Sequence, residues 1–193
     1  MLAVEKTSTA LINLALKQDG VAKCFVNATN PRGPNTTDVY VAGQSALISN
    51  AQITDAQEAF ATYTSGTESA WPPANIPFQS VIELKHPAAL ALTLVGTVYF
   101  DPQYTESEVE AELVIRLDAF VQLLPIGGKT YSQAAQNLIT VGDLLEIIEG
   151  TPGVLSATLT TPAGNVSVSP SALVIPPADW TGASALMLVA GEA

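Results

Sequence analysis

The chain has 193 residues, of which 48% are hydrophobic and only 13% are charged, a balance typical of a folded protein rather than a disordered one. The formal net charge is −11 at pH 7, and the seven basic residues form no cluster, which argues against binding to nucleic acid or to an anionic membrane. A single cysteine excludes an internal disulfide framework and any metal site built from several cysteines.

The first half of the chain is predicted to contain two helices and three strands. Apolar spacing predicts a helix over 8–18 that Asp19-Gly20 ends, because glycine accepts the left-handed conformation that closes a helix. Alternation predicts a strand over 21–28 in which Cys24 faces the core and Lys23 points away. The remaining elements are a strand at 38–42, a helix that begins with a Thr54–Gln57 capping box, a loop at 64–78 and a strand at 80–87.

The clearest element of the second half is a helix over 105–124. The motif TESE at its start places Thr105 at the N-cap and Glu108 at position N3, which predicts a capping box. One apolar face is predicted to consist of Val109, Leu113, Leu117, Phe120, Val121 and Leu124. The other predicted elements are a long strand at 89–100, an irregular stretch at 125–136, a helix at 141–149, and strands at 154–160, 165–169, 172–175 and 185–190.

Two segments of the chain share one pattern. LINLALKQDGV (11–21) and LLEIIEGTPGV (144–154) align without a gap. Each predicts a helix, a Gly-Val turn and a strand, followed by a loop and a further strand, so one α-β-β unit is predicted to occur twice.

The order of the predicted elements also indicates the fold class. Strands and helices do not alternate as they do in a parallel doubly wound sheet. We therefore predict an α+β fold with two small domains, each a mainly antiparallel sheet with helices packed on one face. His86-Pro87 is the predicted boundary, because proline restricts the residue before it, and the domains are then 1–87 and 88–193.

Four stretches of the chain are individually weak motifs but are more specific in combination, because they follow one another in a fixed order. They are GVAKCFVNATNPRGPNTTDVYVAG (20–43), ALTLVGTVYFDPQYTESEVEAEL (91–113), PIGGKTY (125–131) and VGDLLEIIEGTPGVLSATLTTPAGNV (141–166). With these stretches the chain resembles the C-terminal part of the baseplate J-like proteins of contractile-tailed phages and related injection machines. Members of that family are expected to be longer, with an additional N-terminal region.

The resemblance implies a structural role without enzymatic activity. It implies a wedge subunit of the tail baseplate, assembled in the host cytoplasm and arrayed with sixfold symmetry around the end of the tail tube in the virion. The implied partners are other baseplate wedge proteins, a sheath-initiator protein and copies of the chain itself. The low charged fraction agrees with this role, because exposed apolar surface is usually covered by a partner.

Two proline-rich stretches that contain tryptophan are the candidate interface. They comprise Trp71, Pro72 and Pro73 and then Pro176, Pro177 and Trp180. Tryptophan is enriched at binding hot spots, and the alternative is a tryptophan that folds back on the edge of its own core. If both tryptophans lined one groove, the chain would instead be a tail-associated host-surface or carbohydrate-binding module.

No catalytic, cofactor-binding or metal site is predicted. The only histidine, His86, is interpreted as a strand-end residue, and no G-x-S-x-G motif occurs. A small hydrolase would require His86 to meet an acid and a serine in one pocket. Acidic residues at 106, 108, 110 and 112 spread around the helix axis, so they are predicted to complement the helix dipole rather than to bind a metal.

The N-terminal sequence MLAVEKTSTALINLAL has an early acidic residue and lacks the basic region of a signal peptide. No apolar run approaches the ~18 residues that predict a membrane span. Synthesis in a cytoplasm is therefore expected.

Overall fold

The computed structural model of the chain describes residues 2–34, 36–64, 81–131, 136–181 and 185–191. That part of the chain forms four helices and eleven strands. In chain order they are α1 (Leu2–Ala15), β1 (Lys23–Asn27), β2 (Thr36–Ala42), α2 (Asn50–Thr64), β3 (Val81–Lys85), β4 (Ala88–Ala91), β5 (Val95–Phe100), α3 (Glu106–Leu123), β6 (Lys129–Tyr131), β7 (Gln136–Ile139), α4 (Val141–Glu149), β8 (Val154–Thr161), β9 (Val166–Ser167), β10 (Ala172–Ile175) and β11 (Leu186–Ala190).

The predicted α+β class is confirmed, because helices pack with small sheets whose strands are mostly antiparallel. Contacts between Cα atoms divide the chain into two compact units, Met1–Ala88 (unit 1) and Ala89–Ala193 (unit 2). The division falls next to His86-Pro87. Each unit has a hydrophobic core of its own.

Unit 1 is a three-stranded sheet in the order β1-β2-β3, with β1 antiparallel and β3 parallel to the central strand. Helix α1 contacts β1, and α2 contacts β3. The buried core residues are Leu11, Leu14, Ala15, Val21, Val39, Val41, Ile48, Ala56, Phe60 and Leu84. On β3 the alternate residues Ile82 and Leu84 face this core, since Leu84 is buried and Ile82 packs against it.

The second helix begins one turn earlier than predicted. The capping box is formed by Ser49 and Gln52: the Gln52 N–H donates to Ser49 Oγ at 3.2 Å, and the Ser49 N–H donates to Gln52 Oε1 at 2.9 Å. Thr54 lies inside the helix and donates its hydroxyl to the carbonyl oxygen of Asn50 at 3.0 Å. The earlier start is favoured because it brings Ile53 into contact with the core.

Two further details of unit 1 differ from the prediction. The first helix ends at Ala15 rather than at 18, and a turn leads to Gly20, which has a φ of 75°. Lys23 lies on the face opposite the core as predicted, but only 9% of its surface is exposed. Cys24 packs against the core as predicted, and burial raises the pKa of its thiol to about 12.

Unit 2 contains a three-stranded sheet in the order β11-β5-β8, with β8 antiparallel and β11 parallel to the central strand. Helix α4 contacts β8, and α3 contacts both β11 and α4. The capping box of Thr105 and Glu108 is confirmed. So is the predicted apolar face of α3, since all of its members are buried: Val109, Leu113, Leu117, Phe120, Val121 and Leu124.

Strand boundaries in unit 2 are where the prediction was wrong. The strand predicted at 89–100 is two strands in different sheets, because β4 pairs with β10 while β5 pairs with β8 and β11. Leu92 and Leu94 lie between them and are buried. The irregular stretch predicted at 125–136 contains β6 and the start of β7, which pair antiparallel and then join β9. Strands of three or four residues are too short to show alternation.

The repeated pattern is confirmed only in its first part. Both segments form a helix and a strand that contact each other, joined through a glycine with positive φ, 75° at Gly20 and 84° at Gly153. The second strand of the repeat does not correspond. β2 pairs with β1, whereas β9 pairs with β7 in another sheet, and the place beside β8 is taken by β5.

Candidate interface surfaces

Both three-stranded sheets place helices on one face, and we call the opposite face of each sheet its outer face. It is formed by the positions that alternate with the core positions along each strand. In unit 1 the outer face consists of Lys23 and Phe25 on β1, Asp38 and Tyr40 on β2, and Glu83 and Lys85 on β3. In unit 2 it consists of Ser156 and Thr158 on β8, Thr97 and Tyr99 on β5, and Met187 and Val189 on β11.

The outer face of unit 1 contains a charge network centred on Asp38. Its Oδ1 lies 2.7 Å from Arg32 Nε, and its Oδ2 lies 2.8 Å from Lys85 Nζ. Glu83 is the second acid, with Oε2 at 2.9 Å from Arg32 Nε and 3.5 Å from Lys85 Nζ. Two cations and two anions therefore neutralise one another within the unit.

The network controls the ionisation of Asp38, whose side chain is only 3% exposed. Burial by itself would raise the pKa of this carboxyl, but the hydrogen bonds and charges of Lys85 and Arg32 together outweigh it and hold the pKa below its usual value. The same hydrogen bond to Asp38 raises the pKa of Lys85. These charges are satisfied internally, so this face does not require a partner.

The outer face of unit 2 has a different chemistry, because none of its six residues is charged. Tyr99 is 40% exposed and Met187 is 50% exposed. Leu155, beside this face, is 57% exposed and lies where the β5–β8 pairing shifts register between Tyr99 and Phe100. Exposed apolar side chains on adjacent strands form a patch of the kind that partners cover.

The charge of the chain is concentrated in the same unit. Residues 89–193 contain eleven acidic and two basic side chains, a formal charge of −9, whereas residues 1–88 contain seven acidic and five basic ones, a formal charge of −2. The acidic side chains of unit 2 occur largely on α3 and α4. The neutral outer face thus belongs to the more highly charged unit.

A groove of about 470 Å³ lies in unit 1 between α2 and β3. The Gln57 side chain crosses to the strand: its Nε2 donates to the carbonyl oxygen of Ile82 at 3.2 Å, and its Oε1 accepts from the Leu84 N–H at 2.7 Å. A side-chain amide therefore takes the two hydrogen bonds that another strand would make with β3.

The candidate interface residues have different locations. Trp71, Pro72 and Pro73 lie outside the described residues. Pro176 and Pro177 are half-buried after β10.

Trp180 belongs to the core of unit 2, with 3% of its surface exposed, and its Nε1 donates to Asp118 Oδ1 at 2.7 Å. For Trp180 the alternative of a side chain folded onto its own core is therefore the correct one. Sequence reasoning did not single out Tyr99 and Met187. LMLVA is apolar throughout and VGTVYF does not alternate strictly, so the strand pairing, and not the sequence pattern, places them opposite the core.

His86 lies at the end of β3, as predicted. Its Nε2 is 2.9 Å from Asn50 Oδ1, while the buried Nδ1 has no hydrogen-bond partner among the described residues. In the same ranges, no group of three or more histidine, cysteine or acidic side chains is placed to hold a metal ion. None of the described helices has the length and apolar character needed to cross a membrane.

A scan of the chain against protein-family models and a search of curated proteins find no match.

Proposed function

We propose that the chain is a structural subunit of a contractile phage tail baseplate, a wedge component that links neighbouring subunits in a sixfold assembly around the tail tube. The uncharged outer face of unit 2, on which Tyr99 and Met187 are exposed, is the observation that carries the proposal. The resemblance of four ordered stretches to the baseplate J-like family supports it. The expected partners are other wedge proteins, a sheath-initiator protein and copies of the chain, within the virion.

This face can supply part of the energy of a specific contact. Burying an exposed large apolar side chain contributes about 1.5–3 kcal/mol, and Tyr99 and Met187 lie on neighbouring strands. A charged outer face, such as that of unit 1, would lose its solvation on contact. The uncharged face of unit 2 avoids that cost.

The size of the face indicates more than one contact. Three strands of five, six and eight residues present about 300 Å², whereas a stable interface buries about 800 Å² on each partner. Other surfaces must contribute, and Ile115 and Leu123 on α3 are 62% and 82% exposed. A subunit with several neighbours accounts for apolar side chains on separate surfaces.

The alternative of a carbohydrate-binding module is less well supported. Such a module needs an accessible aromatic side chain on which a sugar can stack. Trp180 is one of the two tryptophans expected to serve this purpose, and it is buried with its indole N–H bonded to Asp118.

The proposal predicts that a charge on the β11 side of the outer face prevents assembly without unfolding the chain. Met187→Lys should leave the circular dichroism spectrum unchanged, because the side chain is half exposed. The variant should be absent from tailed particles assembled in its presence, as measured by antibody labelling in electron micrographs. The wild-type chain should be labelled at the distal end of the tail.

Gln103→Lys is the matched control, since it adds the same charge at an exposed position outside the sheet. It should be incorporated as the wild-type chain is. Wild-type label on the capsid, or on no tailed particle at all, would contradict the proposed function.

A further inference from the structure

Strand β8 is the most exposed edge of the sheet in unit 2. Within the described part of the chain it pairs only with β5, so its other side is unpaired by any strand. Its eight residues, VLSATLTT, include no charge and no proline, and none of them is buried. Natural edge strands are usually short, charged or covered, because a free edge is a template for pairing with another chain.

The edges of the two sheets at β3 and β11 are occupied. At β3, the Gln57 amide takes the hydrogen bonds of Ile82 and Leu84. At β11, the Leu186 N–H donates to the carbonyl oxygen of Trp180 at 3.1 Å, and Thr181 forms a bridge with Leu186. These contacts block the approach of a further strand.

Among the residues that the structure describes, one weak contact covers the outer side of β8. Ala157 is paired with Val98 of β5, but its N–H donates to Glu149 Oε1 at 3.3 Å. Alternate residues of an edge strand direct their backbone groups outward, so Leu159 has the same orientation as Ala157. Glu149 is exposed, and its long hydrogen bond is one that an incoming carbonyl group can replace.

We propose that β8 pairs with an extended segment of a partner protein that carries basic side chains. Charge complementarity identifies the occupant, because unit 2 has a formal charge of −9 and an exposed carboxylate at the edge itself. A second copy of β8 would bring an equal negative charge to the contact. The incoming backbone displaces Glu149 from the Ala157 N–H, and the released carboxylate pairs with a lysine or arginine of the segment.

This inference rests on the proposed function and deepens it, since it gives the chemistry of one partner contact. The probe is a labelled synthetic peptide of ten residues in which lysine and valine alternate, titrated at low salt into the full chain. Binding should saturate below about 1 mM by fluorescence anisotropy. Hydrogen exchange should slow at the amides of Ala157 and Leu159.

The charge requirement is tested with a second peptide and a variant pair. A peptide with glutamate in place of lysine should bind at least about tenfold more weakly. Glu149→Gln should weaken binding of the lysine peptide about threefold, because one exposed ion pair is lost. Glu146→Gln, on the same helix and also exposed, is the control and should leave binding unchanged.

The strand pairing is tested by Ala157→Pro, which removes the outward N–H while the hydrogen bonds of β8 to β5 come from other residues. This variant should lose peptide binding at least about tenfold. If it fails to fold, Glu149→Lys replaces it, and that variant should bind the lysine peptide more weakly than Glu149→Gln does.

Equal binding of both peptides, no binding of either, or unchanged exchange at Ala157 would overturn the inference. So would dimerisation of the chain alone through β8. If the lysine peptide does not bind but Met187→Lys still prevents incorporation into tails, the results contradict the inference about β8 and leave the proposed function standing. If the peptide binds but the wild-type chain is not labelled on tails, the results contradict the proposed function instead.

Discussion

The two units build one sheet layout from the same parts in a different chain order. In unit 1, α1 and β1 come first, then the central strand β2 with α2, and then β3. In unit 2 the central strand β5 with α3 comes first, then α4 with β8, and then β11. In both units, the strand antiparallel to the central strand follows a helix of its own: β1 follows α1, and β8 follows α4. The strand parallel to the central strand is contacted by the helix that comes after the central strand: α2 contacts β3, and α3 contacts β11.

The glycine turns occupy matching places in this layout. A Cβ at Gly20 would overlap the side chain of Gln52, which lies in the first turn of α2. A Cβ at Gly153 would lie 2.8 Å from the ring of Tyr104, just before α3. Each glycine therefore packs against the start of the helix that follows the central strand. The layout depends on packing between helix-strand pairs and not on the order in which the chain supplies them.

The outer faces show where the units differ. Unit 1 has an internally neutralised network around Asp38, whereas the corresponding face of unit 2 has Tyr99 and Met187 exposed. One layout can thus support either a self-contained polar face or an apolar face suited to contact. The difference lies in the side chains at alternate strand positions, and it can be tested one position at a time.

The largest expected effect is at Gly96, where the sheet of unit 2 is unusually tight. A Cβ there would overlap the backbone carbonyl oxygen of Thr158 on β8. Val39 on β2 and Val98 on β5 occupy matching positions of the two central strands. Gly96 of unit 2 therefore corresponds to Thr37 of unit 1, which has a side chain. Gly96→Ala should lower the free energy of unfolding by about 3 kcal/mol, because the backbone must shift.

Urea unfolding measures this loss. Gly164→Ala is the matched control, since a Cβ at Gly164 has no heavy atom within 4 Å. It should change the free energy of unfolding by less than about 0.5 kcal/mol. A Gly96→Ala variant as stable as this control would mean that β8 is not held close to the central strand.

The next effect is at Asp38 in the outer face of unit 1. Removing one partner of a buried ion pair costs about 3–5 kcal/mol. The side chains of Arg32 and Lys85 are 31% and 30% exposed and keep Glu83 as a partner, so solvent reduces this cost. Asp38→Asn should therefore destabilise the chain by about 2 kcal/mol at pH 7, with faster hydrogen exchange in β2 and β3.

The same substitution should change the response to acid. The pKa of Asp38 is lower in the folded state than in the unfolded state, so its contribution is present above the unfolded pKa of about 4. It is lost as the pH falls through the folded pKa. The difference between the urea midpoints of wild type and Asp38→Asn should be smaller at pH 3 than at pH 7. A constant difference at both pH values would contradict the network.

Sequence patterns predicted the long elements and missed the short ones. The helix α3 has a capping box and six apolar positions on one face, so two independent signals agree over eighteen residues. The pairing of β4 with β10 depends on residues far apart in the chain. Thr93, the polar residue between β4 and β5, fits the alternation of one continuous strand and therefore does not mark the break. Trp180 resembled a surface residue because Pro176 and Pro177 precede it, but Asp118, on another element, satisfies its indole N–H.

The capping boxes of α2 and α3 match closely between the two units, and removing them should have the smallest effect on the free energy of unfolding. Ser49 precedes α2 and Thr105 precedes α3, and each exchanges hydrogen bonds with the residue three positions later. The bonds from Thr105 also lower the pKa of Glu108. Ser49→Ala and Thr105→Ala should each lower the free energy of unfolding by about 1 kcal/mol.

Thr54→Ala separates the true helix start from the one that the sequence pattern first indicated. The Thr54 hydroxyl bonds within α2 to the carbonyl oxygen of Asn50, so its loss removes no cap. Urea unfolding should show a change below about 0.5 kcal/mol for Thr54→Ala. A larger loss at Thr54 than at Ser49 would place the start of α2 at Thr54 and break the correspondence with α3.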